Sequence, residues 1–288
     1  MKLGLGTVQF GLAYGISNQA GQVPEAEAAQ ILSEAERSGI DVLDTAQAYG
    51  DAELVIGRHA RESFRIVTKL AGERHESAWE GLKASLSRLK RKKIYALLLH
   101  RAADLLEANA GDLLDELKDL KSAGIVEKIG VSVYGGEEID LAMSRHPFDL
   151  VQVPLNILDQ RLLGGALAKL KAAGVEVHAR SALLQGLLMM DPGALKGNLS
   201  RAAGSVKAIR ERARQSGMSM LDACVGFACS RPEVDRVIAG VVSRRELEQL
   251  VAAERNAVAR PAREWEAMRE FALNDEQILN PSKWEKQC

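Results

Sequence analysis

Cysteine is scarce in this chain: three in 288 residues, with no Cys-x-x-Cys pair and no Cys/His ligand spacing. That excludes a disulfide scaffold and gives no grounds for a zinc site. Cys224 and Cys229 lie in one helical-looking stretch where their side chains do not meet, and Cys288 is the last residue. Charge of one sign is equally scarce. Lys and Arg number 38 against 39 Asp and Glu, a net charge of −1, so the basic footprint of a nucleic-acid or membrane-surface binder is missing. The run Lys90-Arg91-Lys92-Lys93 reads as a solvated helix end, where cations suit the helix dipole. No apolar run reaches membrane-spanning length, and the opening stretch, broken by Gly4, Gly6 and Gly11, lacks the apolar core of a signal peptide. A cytoplasmic protein with neither nucleic acid nor membrane as partner is expected. The Gly-rich dinucleotide fingerprint is also absent, because Gly4-Leu5-Gly6 lacks the third glycine and the helix start it requires.

What is present is a regular alternation, in a chain 47% apolar and 27% charged. Short apolar runs predict strands at Leu3–Thr7, Val42–Asp44, Arg65–Lys69, Ile94–His100, Lys128–Ser132, Leu150–Val153, Val175–Arg180 and Arg236–Gly240. Helical spacing falls between them. Pro24 with Glu25 and Glu27 opens one helix and Gly39 closes it. Others are predicted over Ala52–His59, along Trp79, Leu82, Leu86 and Leu89, along Leu113 to Leu120, over Glu137–Met143, Leu162–Leu170, Val206–Gln215, Leu221–Cys229 and Arg244–Ala253. Eight strand–helix units in about 250 residues predict an α/β fold, a (β/α)8 TIM barrel. No low-complexity linker divides it, so residues 1–288 are expected to form a single domain, with 272–288 as a C-terminal tail. A doubly wound sheet is the alternative, weakened by the missing fingerprint.

A barrel carries its chemistry at the C-terminal ends of its strands. Asp44, Lys69, His100, Ser132, Gln152 and Arg180 stand at or near those ends in strands two to seven, and Tyr49 follows strand two on a loop. A phenol titrates near about 10 in water, too high for a proton shuttle at neutral pH. An adjacent ammonium favours phenolate, and a carboxylate holds that ammonium charged. An imidazole can orient a carbonyl by hydrogen bonding. Tyr49, Lys69, Asp44 and His100 together make an acid able to protonate an oxyanion while a nucleophile arrives from elsewhere, which a hydride cofactor would supply.

These residues lie in motifs. D-T-A-x-x-Y-G (Asp44 to Gly50) with Glu53, V-T-K ending at Lys69, L-L-L-H ending at His100, G-V-S ending at Ser132, V-Q-V-P-L-N (Val151 to Asn156) and the V-I-x-G run (Val237 to Gly240) resemble the aldo-keto reductase superfamily over nearly the whole chain. The resemblance implies a barrel that reduces an aldehyde or ketone, sugar-like ones included, with NADPH as the default cofactor and NADH possible. It carries over a tetrad: Tyr49 as general acid, Lys69 and Asp44 as its tuning pair, His100 at the carbonyl. It also implies a cofactor-binding set of Thr7, Ser132, Gln152, Arg180, Ser181, Leu183, Gln185, Gly240, Val242, Ser243 and Glu246, with no metal. In that set Ser132 and Gln152 meet the nicotinamide carboxamide, Arg180 takes the stacking position usually held by an aromatic residue, and Ser181 to Gln185 approach the pyrophosphate.

The chain also departs from the family. No barrel-bottom β-hairpin precedes strand one. After Ser132 the frequent Asn is Val133, and Ala239, Val242 and Leu250 replace a usual Pro, a basic residue and an Asn. Glu246 stands where an Arg or Gln often holds the adenosine 2′-phosphate; its charge would repel that group unless Arg244 or Arg245 compensates.

Two other functions are kept in view: a cofactor-binding regulatory subunit with little turnover, and a lyase using Lys69 as a Schiff base. His59, His75, His146 and His178 show no ligand spacing. Met189 and Met190 are read as local core more than substrate wall, Phe10 and Tyr14 as candidates for the pocket wall, and Trp284 as part of a lid or of a free tail. The short loop Arg101 to Gly111 suggests an open pocket for a small-molecule substrate. A monomer or small homo-oligomer is expected.

Overall fold

The computed structural model describes residues 1–71 and 77–285; His75 and Cys288 lie outside them. Eight parallel strands close into a barrel in sequence order. They are β1 (Leu3–Gly6), β2 (Val42–Asp44), β3 (Arg65–Leu70), β4 (Ile94–Leu99), β5 (Val126–Ser132), β6 (Leu150–Pro154), β7 (Glu176–Arg180) and β8 (Arg236–Gly240). β1 closes the ring by pairing with both β2 and β8, Gly6 standing opposite Asp44 on one side and Gly240 on the other. Around the barrel run α1 (Glu25–Arg37), α2 (Ala52–His59), α3 (Ala78–Leu89), α4 (Ala110–Ser122), α5 (Gly136–Arg145), α6 (Gly165–Ala172), α7 (Ala203–Gln215), α8 (Met220–Cys229) and α9 (Arg244–Val258).

Strand alternation explains both cores. Leu43, Ile66, Leu97, Leu99, Ile129 and Val151 point outward and join the helices in one large buried cluster. Val42, Val67, Ala96, Leu98, Leu150 and Ile238 fill the barrel interior with Tyr95. Each buried leucine of this kind contributes roughly 1.5–3 kcal/mol through burial. Two residues further along the same strands, on the same inward face, come Asp44 above Val42, Lys69 above Val67, His100 above Leu98, Gln152 above Leu150 and Gly240 above Ile238. The polar set is therefore the top layer of the barrel, standing on an apolar floor.

The opposite mouth is closed by side chains. The Glu176 carboxylate accepts from Tyr95 Oη at 2.6 Å, meets His178 Nε2 at 2.7 Å and pairs with Lys128. Its pKa is pulled well below the ordinary carboxylate range: burial acts upward, and these three partners more than offset it.

Some boundaries differ from the sequence reading. α6 starts at Gly165, not Leu162, because Gly164 takes a left-handed φ of +85°, which a continuing helix cannot hold. α9 runs on to Val258. Trp79 opens α3 on its solvent side and is 43% exposed, so it does not share the buried stripe of Leu82 and Leu89. The segment after β7 is built from 3₁₀ turns at Leu184–Met189, Pro192–Ala194 and Gly197–Ala202.

The tail is neither free nor a lid as far as it is described. It folds into a short helix (Glu276–Leu279) that buries Ile278 and Leu279. Asn198 Nδ2 donates to Gln277 O and Lys283 O, and Trp284 Nε1 donates to Ile278 O at 2.9 Å. Among the described residues no helix is long and apolar enough to cross a membrane.

Candidate active site

A cavity of about 710 Å³ opens at the C-terminal mouth of the barrel. Asp44, Tyr49, Lys69 and His100 all line it. Lys69 is 1% exposed and its Nζ donates to Asp44 Oδ1 at 2.7 Å and to Thr45 O at 2.9 Å. The second carboxylate oxygen of Asp44 accepts from Gln152 Nε2 at 2.7 Å. Burial pulls the Lys69 pKa down, but Asp44 and Tyr49 more than reverse this, leaving it above the ordinary lysine value. The buried amine is therefore an ammonium.

Tyr49 is placed by a tight crossing of backbones. A Cβ on Gly11 would stand 1.8 Å from Tyr49 O, and one on Gly50 would stand 2.5 Å from Gly11 O, so only glycines let the two loops meet. The crossing holds the Tyr49 ring 5.2 Å from Lys69 Nζ and edge-on to His100, ring centroids 6.0 Å apart. Burial, then the Lys69 ammonium, push His100 down to about 4. At neutral pH the Tyr49 ring is thus flanked by a neutral imidazole and an ammonium paired with Asp44.

The sequence model of the Aldo/keto reductase family matches residues 2–272. The chain belongs to that family. It is similar to the uncharacterized oxidoreductase YqkF of Bacillus subtilis, 26% identical over 256 residues that cover 79% of this chain and 82% of that protein. Among solved structures it resembles the aldo-keto reductase AKR11C1 of Bacillus halodurans in its holo form, TM-score 0.75 at 22% identity, covering 98% of this chain and 95% of that one. It also resembles the glycerol dehydrogenase AKR11B4 of Gluconobacter oxydans, TM-score 0.74 at 19% identity, covering 100% and 94%. As an aldo/keto reductase the chain is an NAD(P)H-dependent oxidoreductase acting on small-molecule carbonyl compounds.

The remaining walls of this aldo/keto reductase's cavity hold most of the residues expected at a nicotinamide cofactor. Thr7, Ser132, Gln152, Arg180, Ser181, Leu183, Gln185, Gly240, Val242 and Glu246 all line the cavity. The Gln9 amide packs directly on Gly240, where a Cβ would lie 2.3 Å from Gln9 Oε1, and that oxygen is buried with no hydrogen-bond partner among the described residues. Of four non-glycine residues with positive φ in the described chain, three, Ser181, Leu184 and Gln185, sit in the loop after β7. Left-handed backbone is thus concentrated in one loop that lines the cavity.

Not every expected contact is available. Ser243 does not line the cavity; its hydroxyl caps α9 by accepting from Glu246 N at 3.2 Å. The Thr7 hydroxyl donates to Asp44 O at 2.9 Å, holding β2 in place. The Gln152 amide group has one N–H committed to Asp44. Arg244 turns away, with Nε near Glu34 and Glu248, so it does not offset Glu246. Glu53 lies on the outer face, bonded to Thr68 and Arg88. Tyr14 and Met189 line the cavity, whereas Phe10 and Met190 pack into the core and no residue of the Arg101 to Gly111 loop reaches it. Tyr134 and Gln9, which the sequence reading passed over, line it as well. Tyr134 follows β5 by two residues, within reach of the same strand-end rule.

The depressed His100 pKa has a direct readout. Its ring should stay neutral as pH falls from 8 to 5 and take up a proton only near about 4. NMR titration of the His100 ring checks this; a midpoint near the ordinary value of about 6.5 would contradict the described environment.

Proposed function

We propose that the chain reduces an aldehyde or ketone to the alcohol with Tyr49 as the proton donor. The observation that supports this most is the Lys69 ammonium, fixed by Asp44 and Thr45 O and held 5.2 Å from the Tyr49 ring. A cation beside a phenol stabilises the negative charge left on its oxygen as the proton passes to the substrate. Asp44 keeps Lys69 charged throughout, so the pair acts by its field and moves no proton of its own. His100, neutral at working pH, offers a ring N–H to the substrate oxygen without adding a second cation to the site. The apolar layer beneath, with Leu98 and Ile238, keeps water from the barrel interior and strengthens these interactions.

Bound nicotinamide supplies the hydride. Ser132 and the free side of Gln152 would hold its carboxamide, the strained loop from Ser181 to Gln185 would take the diphosphate, and Gly240 with Val242 would receive the adenosine half. The lyase alternative loses support, because an ion-paired lysine with a raised pKa is a poor Schiff-base nucleophile. For the cofactor's 2′-phosphate we read Glu246 as an opposing charge. Its carboxylate accepts from Val242 N at 2.8 Å at the start of α9, and Arg244 does not neutralise it. NADPH remains the starting expectation, with its advantage over NADH narrowed.

Tyr49→Phe should lose on the order of 10²–10⁴ in turnover while keeping cofactor affinity, measured by NAD(P)H oxidation and by cofactor fluorescence. Unchanged turnover would remove Tyr49 from the mechanism; a wild type that binds cofactor tightly but reduces no carbonyl would favour a regulatory subunit. Glu246→Gln should raise the NADPH-over-NADH affinity ratio about tenfold by deleting a like charge. An unchanged ratio of dissociation constants would show that Glu246 does not meet the 2′-phosphate.

A further inference from the structure

Partly buried arginines in this protein mostly carry a carboxylate partner. Arg88 meets Glu53 at 2.6 Å, Arg161 meets Asp159 at 2.8 Å, Arg231 meets Glu266 at 2.9 Å and Arg260 meets Glu264 at 2.8 Å. Arg91 instead donates to the backbone oxygens of Ala60 and Arg61 and lines no part of the cavity. Arg180 is different. It lines the active-site cavity, and among the described residues no carboxylate stands within ion-pair distance of it.

Its position is nevertheless fixed. The guanidinium carbon lies 4.2 Å from the centroid of the Tyr134 ring, Nη2 donates to Val133 O at 3.0 Å, and Nη1 reaches Ser181 Oγ at 3.4 Å. A guanidinium has five N–H donors in a planar fork that matches a carboxylate, and those contacts use only part of it. The charges around it do not cancel. Asp44 and Lys69 balance each other, His100 is neutral, and burial with the nearby Tyr49 pushes the Tyr14 phenol up to about 12, so it stays protonated. Arg180 acts electrostatically on His100, Lys69 and Tyr14 alike, which places it at the catalytic end of the cavity. Glu246 lines the same cavity but is engaged at the start of α9. The catalytic end thus carries one preorganised, uncompensated positive charge.

We propose that Arg180 binds the carboxylate of an oxo-acid substrate, a molecule bearing both the carbonyl to be reduced and an ionised carboxyl group. This rests on the carbonyl-reductase reading above. Hydride and proton add across the C=O bond as in any carbonyl reduction, and the carboxylate takes no part beyond anchoring. Tyr14, Tyr134 and Met189, 38%, 37% and 38% exposed, line the same cavity and give the carbon skeleton an apolar wall. A competing use of the charge, the diphosphate of the cofactor, would place the same chemistry on a different molecule.

The test compares 4-formylbenzoate with its methyl ester in the wild type, Arg180→Met and Arg180→Lys, with NADH and NADPH dissociation constants measured by fluorescence. Arg180→Met should lower the acid-over-ester ratio of kcat/KM roughly 10- to 100-fold, mainly through KM for the acid, and Arg180→Lys should keep part of it. An unchanged ratio overturns the proposal. So does a cofactor affinity that falls by the same factor, which would assign the guanidinium to the diphosphate. Should the wild type reduce neither compound, the reductase reading is judged on other aldehydes and ketones, separately from the anion site. Calorimetric titration with benzoate then decides the anion site: binding lost in Arg180→Met supports it, and equal binding in both proteins refutes it.

Discussion

A buried ammonium is tolerable only if it is paired, and the top of this barrel is arranged around that requirement. Lys69 Nζ has Asp44 Oδ1 and Thr45 O as partners, and Asp44 Oδ2 is taken by Gln152. Remove one partner and a charge is left stranded in an environment where stranding costs roughly 3–5 kcal/mol. Both partners come from strand ends because β2 and β3 lie side by side with Asp44 opposite Val67, two residues before Lys69. Thr7, hydrogen-bonded to Asp44 O, ties β1 into the same arrangement. The pairing is costly to assemble, and what it yields is a fixed positive charge facing Tyr49 and His100.

Around that balanced pair the cavity holds two charges of opposite sign that are not balanced against each other. Arg180 is held by a ring and a carbonyl, and Glu246 by the backbone at the start of α9. Fixed charges that cost no reorganisation can discriminate among charged ligands, by attraction or by repulsion. The loop after β7 supplies the remaining tension, with Ser181, Leu184 and Gln185 in left-handed backbone. Both charges sit on regular elements, Arg180 at the end of β7 and Glu246 in the first turn of α9.

Much of this is legible in the amino-acid sequence. The eight strands lie where short apolar runs put them, because buried parallel strands must be apolar on both faces. Asp44, Lys69, His100 and Gln152 stood out since each interrupts such a run at its C-terminal end, and all line the cavity. Less legible were features set by tertiary contact alone. Gln9 lies in a helix of only four residues, Val8–Gly11, too short to show a period, and its place in the wall depends on neighbours distant in sequence. Ser243 carried the right chemistry but spends it on capping α9. The direction of Arg244 follows from Glu34 on α1, a contact no local pattern encodes. The docking of the tail through Asn198 and Trp284 is of the same kind.

The claim that Asp44 and Lys69 act as one unit on Tyr49 is tested most directly by a double-mutant cycle on the hydride-transfer step. Single-turnover rates would be compared for the wild type, Asp44→Asn, Lys69→Met and the double variant, with folding checked by urea denaturation. If the two residues work only as a pair, each single change slows the step strongly and the double variant is no slower than the slower single. Losses that multiply in the double variant, or single changes that leave the rate within about threefold, would contradict it.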